Sequence, residues 1–155
     1  MNPDTMVLIA EDDDGHAALI ERNLRRGGME RPSSRLRDGQ ETVDFFFGSG
    51  QYQSAKGWQR YLLLLDINLP RINGIEVLRK MKEHHVLKQV PVIMLSTTDD
   101  PKEVEACHSI GCNFYLIKPV EPDAFAQVIT RLGSFLDLIT VPGIRLASLS
   151  GISLN

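Results

Sequence analysis

The sequence predicts an α/β protein: a doubly wound, five-stranded parallel sheet with helices on both faces. Three features of its 155 residues lead there. Short aliphatic runs such as "VLI", "YLLLL" and "VIML" lack polar alternation, as strands buried on both faces do. Most of these runs are followed by a segment with apolar residues at helical spacing, and such alternation implies a parallel sheet joined by crossover helices. The buried runs also stop abruptly at charged or hydroxyl residues, which places those side chains along one rim.

Met6 to Ala10 reads as the first strand. A helix follows from about Gly15 to Arg26, with Ala18, Leu19, Arg22 and Leu24 on a mixed face and Gly27-Gly28 to stop it. A short, edge-type strand covers Ser33 to Leu36: Pro32 lacks an N–H donor, and Asp38-Gly39 make the next turn. Val43, Phe46 and Phe47 form the apolar side of a second, short helix. "GSGQYQSAKGW" is then a polar, glycine-rich loop longer than most connections inside a compact domain. Tyr61 to Asp66 is the strongest strand. The helix Gly74 to His84 carries Ile75, Val77, Leu78 and Met81. "VPVIML" is a fourth strand ending at Ser96, and "PKEVEACHSIG" a helix with Pro101 in its first turn and Gly111 past its end. Phe114 to Ile117 is the fifth strand. The last helix, about Pro122 to Thr140, buries Phe125, Val128, Ile129, Leu132, Phe135, Leu136 and Ile139. Residues 1–140 thus form one domain, and 141–155 a tail outside the sheet.

Composition narrows the functional classes. With 43% hydrophobic and 24% charged residues, this is one ordinary globular domain with room for a full core. A formal net charge of −3, with no basic run longer than Arg25-Arg26, gives no field for attracting nucleic acid. No basic leader followed by an apolar stretch begins the chain, and no apolar run approaches a membrane span, so a soluble, cytoplasmic protein is expected. Cys107, His108 and Cys112 offer three ligands, one short of a structural zinc site, and read as inert thiols in a reducing compartment.

In sheets of this kind ligands bind beyond the carboxyl ends of the strands. Glu11 and Asp12 end the first strand, Asp66 the third, Ser96 the fourth and Lys118 the fifth. The acids of "AEDDD" do not fit a calcium loop: with Gly15 at loop position 6, position 1 falls on Ala10, which has no ligand. They instead complete a cluster with the distant Asp66. Asp13 and Asp14, where the first helix begins, read as caps favoured by the helix dipole.

These residues carry a resemblance. "LIAEDD", "LLLLDINLPRINGIEVL", "PVIMLSTT" and "NFYLIKPV", in order over about residues 6 to 140, resemble the strand-one acidic pair, phosphoacceptor segment, Ser/Thr switch strand and aromatic-x-x-Lys-Pro ending of response regulator receiver domains. That resemblance implies a flavodoxin-like receiver fold. It also implies that Asp66 accepts a phosphoryl group from a histidine kinase, with Glu11 and Asp12 as the acidic pair, Ser96 the hydroxyl, Lys118 the lysine and Tyr115 the switch aromatic. The long loop before "YLLLLD" and the "IGCNFYLIKPV" segment resemble the small regulators of phytochrome-type kinases. Such a protein is a phosphoacceptor that catalyses its own phosphotransfer and dephosphorylation, not an enzyme with a separate substrate. Glu11 departs from the aspartate many members carry, which bears on metal affinity.

The chemistry agrees with the resemblance. Transfer brings an anionic phosphoryl group against an anionic nucleophile, so charge must be neutralised at the equatorial oxygens. Mg2+ suits the task, since it takes one or two carboxylates and keeps several waters. Asp12 and Asp66 supply those, the Asn68 carbonyl a third oxygen, and Glu11 acts through a bound water. Lys118 is a compact cation for one phosphoryl oxygen, and Ser96 with the Thr97 N–H donates to another. Two other classes compete. An aspartyl-phosphate phosphohydrolase wants a second acid two residues after the nucleophile, where Asn68 stands. A phosphorylation-independent receiver-like scaffold would usually have lost one of the residues that are present here. About fifteen residues after the last helix cannot fold into a DNA-binding module, so output is expected from the receiver surface toward a downstream protein. The tail is rich in aliphatic residues (Val141, Ile144, Leu146, Leu149, Ile152, Leu154), and together with the last helix it is expected to make a homodimer contact. His16, His84, His85 and His108 show no partners at catalytic spacing and are expected to be surface residues.

Overall fold

The computed structural model describes residues 1–48 and 58–145. Its strands are β1 (Thr5–Ala10), β2 (Ser33–Leu36), β3 (Trp58–Asp66), β4 (Val92–Ser96), β5 (Phe114–Ile117) and β6 (Gly143–Arg145). Its helices are α1 (Asp14–Arg26), α2 (Gly39–Phe47), α3 (Gly74–Glu83), α4 (Pro101–Ile110) and α5 (Pro122–Leu138). Five strands run parallel in the order β2-β1-β3-β4-β5. This is the expected five-stranded parallel sheet with helices on both faces, with β2 at one edge.

The unbroken aliphatic runs follow from this layering. Successive side chains leave a strand in opposite directions. Leu63 and Leu65 of β3 enter one core with Leu8, Met94, Phe46, Val77 and Cys107. Leu62 and Leu64 enter the other with Val7, Ile93, Ile20, Ile129 and Leu136. Helices α2, α3 and α4 therefore cover one face and α1 and α5 the other. Burying each such leucine stabilises the fold by roughly 1.5–3 kcal/mol, so a polar residue on either face of β3 would be heavily penalised. Helix α4 is the exception in anchorage: of its ten residues only Cys107 is fully buried.

Several local expectations shift. The buried face of α1 is Ala17, Ile20, Asn23 and Leu24, where Ala18, Leu19, Arg22 and Leu24 are expected on a mixed face. Phe47 of α2 is 37% exposed and meets His84 edge-on, leaving Phe46 as the core residue. Val90 and Pro91 precede β4, and a 3-10 turn at Leu87–Gln89 leads into it. Most of the glycine-rich loop, residues 49–57, lies outside the described residues.

The larger correction concerns the tail. Gly143–Arg145 form β6, which pairs antiparallel with Trp58–Arg60, and Val141 and Ile144 are buried in the chain's own two cores. The sheet therefore keeps the first residues of the expected arm, while 146–155 lie outside the described residues. The same corner holds the start of the chain. The Met1 amino group donates to the Asp137 carbonyl at 2.5 Å, and the Val141 N–H donates to Asn2 Oδ1 at 2.8 Å. Arg60 joins both ends, pairing with Asp4 at 3.2 Å and donating to the Val141 carbonyl at 2.5 Å. This pairing also explains why β3 begins at Trp58 rather than Tyr61: its first residues are strand because β6 lies beside them.

His84, expected to be an idle surface residue, closes α3. Its Nδ1 accepts the N–H groups of Val86 and Leu87 at 3.1 and 3.3 Å. Burial and the stacked His85 lower its pKa from the ordinary 6.5. The unfolded chain then binds the proton more readily than the folded one, so the contribution to stability is full above about pH 6.5 and falls as pH drops toward the lowered folded value. Denaturant unfolding between pH 8 and 5 should show this loss, and His84→Asn, whose amide oxygen also accepts, should lack that component of the slope.

Candidate functional site

The parallel register sets the site. Ala10 is level with Leu65, Asp66 with Leu95, and Ser96 with Ile117. Glu11, Asp66, Ser96 and Lys118 therefore emerge together along the carboxyl edge, each at or one residue past the end of its strand. All four are buried, with relative exposures of 1–6%. Buried charges need partners. The Lys118 ammonium supplies them, donating to Glu11 Oε1 at 2.6 Å and to Asp66 Oδ2 at 3.1 Å. Glu11 Oε2 also accepts the Asp13 N–H at 3.2 Å, and Asp66 Oδ1 the Asn68 N–H at 3.3 Å.

Asp12 is exposed on the solvent side of this group. Carboxylate oxygens of Glu11, Asp12 and Asp66 lie within 4.8 Å of one another. Three carboxylates against one ammonium leave the cluster acidic, and hard oxygen donors at this spacing fit a Mg2+-sized ion. Among the described residues no other group of three ligating side chains converges. Burial raises the pKa of Glu11, outweighing its bond to Lys118. Burial alone would lower Lys118, but the Glu11 hydrogen bond and the charges of Asp66 and Glu11 outweigh it and raise its pKa. The lysine is thus held charged, with the acids competing for it.

The remaining expected residues fall around this centre. The Ser96 hydroxyl does not touch Asp66: it donates weakly to Glu103 Oε1 at 3.5 Å and accepts the Thr98 N–H at 3.1 Å. The Tyr115 hydroxyl donates to the Thr98 carbonyl at 3.0 Å, with its ring packed on the core rather than facing solvent. Thr97 and Asn68 are exposed, and position 68 offers no acid to Asp66. Of the two expected caps, Asp13 caps α1 through the His16 N–H at 2.8 Å. Asp14 does not cap: it pairs with Arg35 at 2.5 Å and Arg37 at 3.3 Å.

Two residues of the surroundings escaped sequence reasoning. His16 Nδ1 lies 3.8 Å from Glu11 Oε1, and its ring meets Phe125 edge-on. It borders a cavity of about 410 Å³ that also touches Thr97 and Lys118. Its place in the first turn after the acidic pair was the available signal. Arg35 donates from Nε to the Glu11 carbonyl at 2.9 Å, holding the end of β1 from β2; nothing in "SSRLRDG" distinguishes it from a solvated arginine.

Gly74 closes the back of the site. A Cβ there would lie 2.2 Å from the Asp66 carbonyl oxygen and 2.8 Å from Ile67 Cα, so only glycine lets α3 begin directly behind Asp66. Its N–H donates to the Ile67 carbonyl at 2.8 Å. Gly74→Ala is expected to destabilise the fold by about 1–3 kcal/mol and to weaken Mg2+ binding by displacing Asp66. Denaturant unfolding and calorimetric Mg2+ titration check the two effects separately.

The profile of the response regulator receiver domain matches residues 7–130. Response regulator Rcp1 of Synechocystis sp. is 30% identical over 142 residues, 91% of this chain and 95% of its own. The Mn(2+)-bound form of Rcp1 superimposes with a TM-score of 0.80 at 28% identity, over 88% of this chain and 98% of that one. A response regulator receiver domain from Rhodospirillum rubrum gives a TM-score of 0.83 at 38% identity, over 90% of this chain and 99% of that one. The phosphorylated cyanobacterial phytochrome response regulator RcpA gives 0.80 at 28% identity, over 88% and 97%. None of the described helices is long and apolar enough to cross a membrane.

Proposed function

The chain belongs to the response regulator receiver family, and on that premise we propose that it takes a phosphoryl group onto Asp66 from the phosphohistidine of a histidine kinase and signals through protein contacts of its own surface. One observation carries the reading: the Lys118 ammonium lies 3.1 Å from an Asp66 carboxylate oxygen at the end of the central strand, with Glu11 and Asp12 beside it. In the step, an Asp66 oxygen attacks phosphorus, the P–N bond to the donor imidazole breaks, and its electron pair returns to the ring nitrogen. Lys118 faces a phosphoryl oxygen, and the Ser96 hydroxyl and Thr97 N–H serve another. Glu11, Asp12, Asp66 and the Asn68 carbonyl would hold Mg2+, which when bound neutralises charge on the transferring group. The Mn(2+)-bound form of Rcp1 supports a divalent cation in such a site. RcpA, a phytochrome response regulator, supports a kinase of the phytochrome type as donor.

The switch passes through one residue, Thr98, by way of the two peptide groups that flank its Cα. Thr98 gives its N–H to Ser96 Oγ and receives the Tyr115 hydroxyl on its carbonyl. A phosphoryl group adds about 1.5 to 2 negative charges and draws the Ser96 hydroxyl toward it, away from Glu103 in the first turn of α4. The Thr98 N–H then loses its acceptor, the backbone on either side of Thr98 adjusts, and Tyr115, bonded to the Thr98 carbonyl, shifts with it. Because Tyr115 already packs inward, the change at the face of α4, β5 and α5 is a re-seating of the ring rather than an entry from solvent.

A homodimer contact belongs on the last helix: Phe135 and Leu138 are 41% and 82% exposed, and Phe114 of β5, 49% exposed, stacks edge-on against Phe135. Because Val141 and Ile144 are core residues, a chain cut after Thr140 would lose part of the fold. A chain cut after Arg145 tests the arm itself: light scattering should show the full chain self-associating more tightly than this one, and equal association would remove residues 146–155 from the contact. For the central reading, Asp66→Asn should abolish acid-stable, Mg2+-dependent labelling by a phosphodonor while circular dichroism shows an unchanged fold, since Lys118 keeps Glu11 as its partner. Undiminished labelling would overturn the assignment.

A further inference from the structure

The end of α4 holds chemistry that phosphotransfer does not use. The Cys107 carbonyl accepts both the Gly111 and Cys112 N–H groups, each at 3.1 Å, and Gly111 takes the positive φ of 127° that this Schellman turn requires. Such a turn brings the side chains of its first and last residues together. The same turn ends α1, where the Met29 N–H donates to the Leu24 carbonyl at 3.1 Å, and there Leu24 and Met29 pack into one core. At α4 the corresponding pair is two free thiols, Cys107 and Cys112, in the other core.

Their surroundings differ in a way that assigns roles. Cys107 is wholly buried. Cys112 is 7% exposed, with its Sγ 3.7 Å from Nδ1 of the exposed His108. The Lys82 charge favours its thiolate, although burial raises the thiol overall. Lys82 is fixed in place, donating to the Lys88 and Val90 carbonyls at 3.0 and 2.8 Å. Burial pushes Cys107 up to about 11, so it is the poorer first nucleophile. The residue after Cys112 is tied to the sheet: Asn113 exchanges two hydrogen bonds of 2.8 Å with Val92.

We infer that Cys107 and Cys112 form a peroxide-responsive pair that closes to an intrachain disulfide and fastens the end of α4 to the start of β5. The Cys112 thiol passes its proton to His108, and the thiolate attacks a peroxide oxygen. The O–O bond breaks, sulfur is oxidised to sulfenic acid, and the leaving hydroxide takes the proton back as water. Cys107 sulfur then attacks the sulfenyl sulfur, the S–O bond breaks, and a second water leaves with the Cys107 proton. Two thiols and one hydrogen peroxide become a disulfide and two waters. The new bond would join the sheet to the one residue by which α4 is already buried.

Treating the folded full chain with hydrogen peroxide, alkylating the remaining thiols and weighing its peptides tests this independently of any phosphorylation. The peptide holding both cysteines should lose two hydrogens and take no alkyl group, reversibly with dithiothreitol, and amide exchange in the last turn of α4 should slow. Cys107→Ser should accumulate a dimedone-reactive sulfenic acid on Cys112. His108→Ala should slow oxidation by about an order of magnitude, with denatured chains reacting alike. Intermolecular disulfides, overoxidised Cys112 beside an alkylatable Cys107, or two free thiols at a peroxide concentration that oxidises the denatured chain would each overturn it.

Discussion

The carboxyl edge of the sheet depends on one ammonium group. Lys118 leaves β5 and reaches across the end of β4 to Asp66 on β3 and Glu11 past β1. Without it, two buried carboxylates would face each other in a low-dielectric setting, and stripping a buried charge of its partner costs about 3–5 kcal/mol. The same contact leaves an excess of acid around Asp66, which suits a divalent cation that would in turn offset the charge of a phosphoryl group. On the proposed transfer, the resting and reactive arrangements would use the same charges in different pairings.

Anchorage is uneven, and the unevenness has a direction. Helices α1, α2, α3 and α5 each bury several residues, whereas α4 fully buries Cys107 alone, with Ile110 partly buried beside it. Regions with few buried contacts open at lower free energy than the core. Ser96 and Tyr115 meet the start of this helix through the Thr98 backbone and Glu103, so on the proposed switch a change at Asp66 would reach the element least able to resist it. A disulfide at Cys107 would act on that same weakness from the opposite end of the helix.

Much of this was legible in the sequence because its causes are local. The strands announce themselves where burial on both faces forbids polar residues, and the site residues stand where those runs break off. What escaped was non-local or degenerate. β6 is three residues long, and its pairing with Trp58–Arg60 spans most of the chain. The aliphatic side chains that read as an arm for another molecule, Val141 and Ile144, were core residues of this one, a distinction that hydrophobicity alone cannot draw. His84 and His16 looked idle because their partners are a backbone turn and a carboxylate positioned by folding. The buried face of α1 was misread, since Asn23 is buried through bonds with the Leu19 carbonyl and with Thr130 that its polarity conceals.

The corner where Met1 and Asn2 lie against Asp137 and Val141 sits at the amino edge of the parallel strands. β1 is six residues long, so roughly 20 Å of strand separates that corner from the acids. A surface attachment or fluorescent reporter joined ahead of Met1 would project away from Asp66, leaving the reactive rim clear for a kinase while the protein is immobilised and watched.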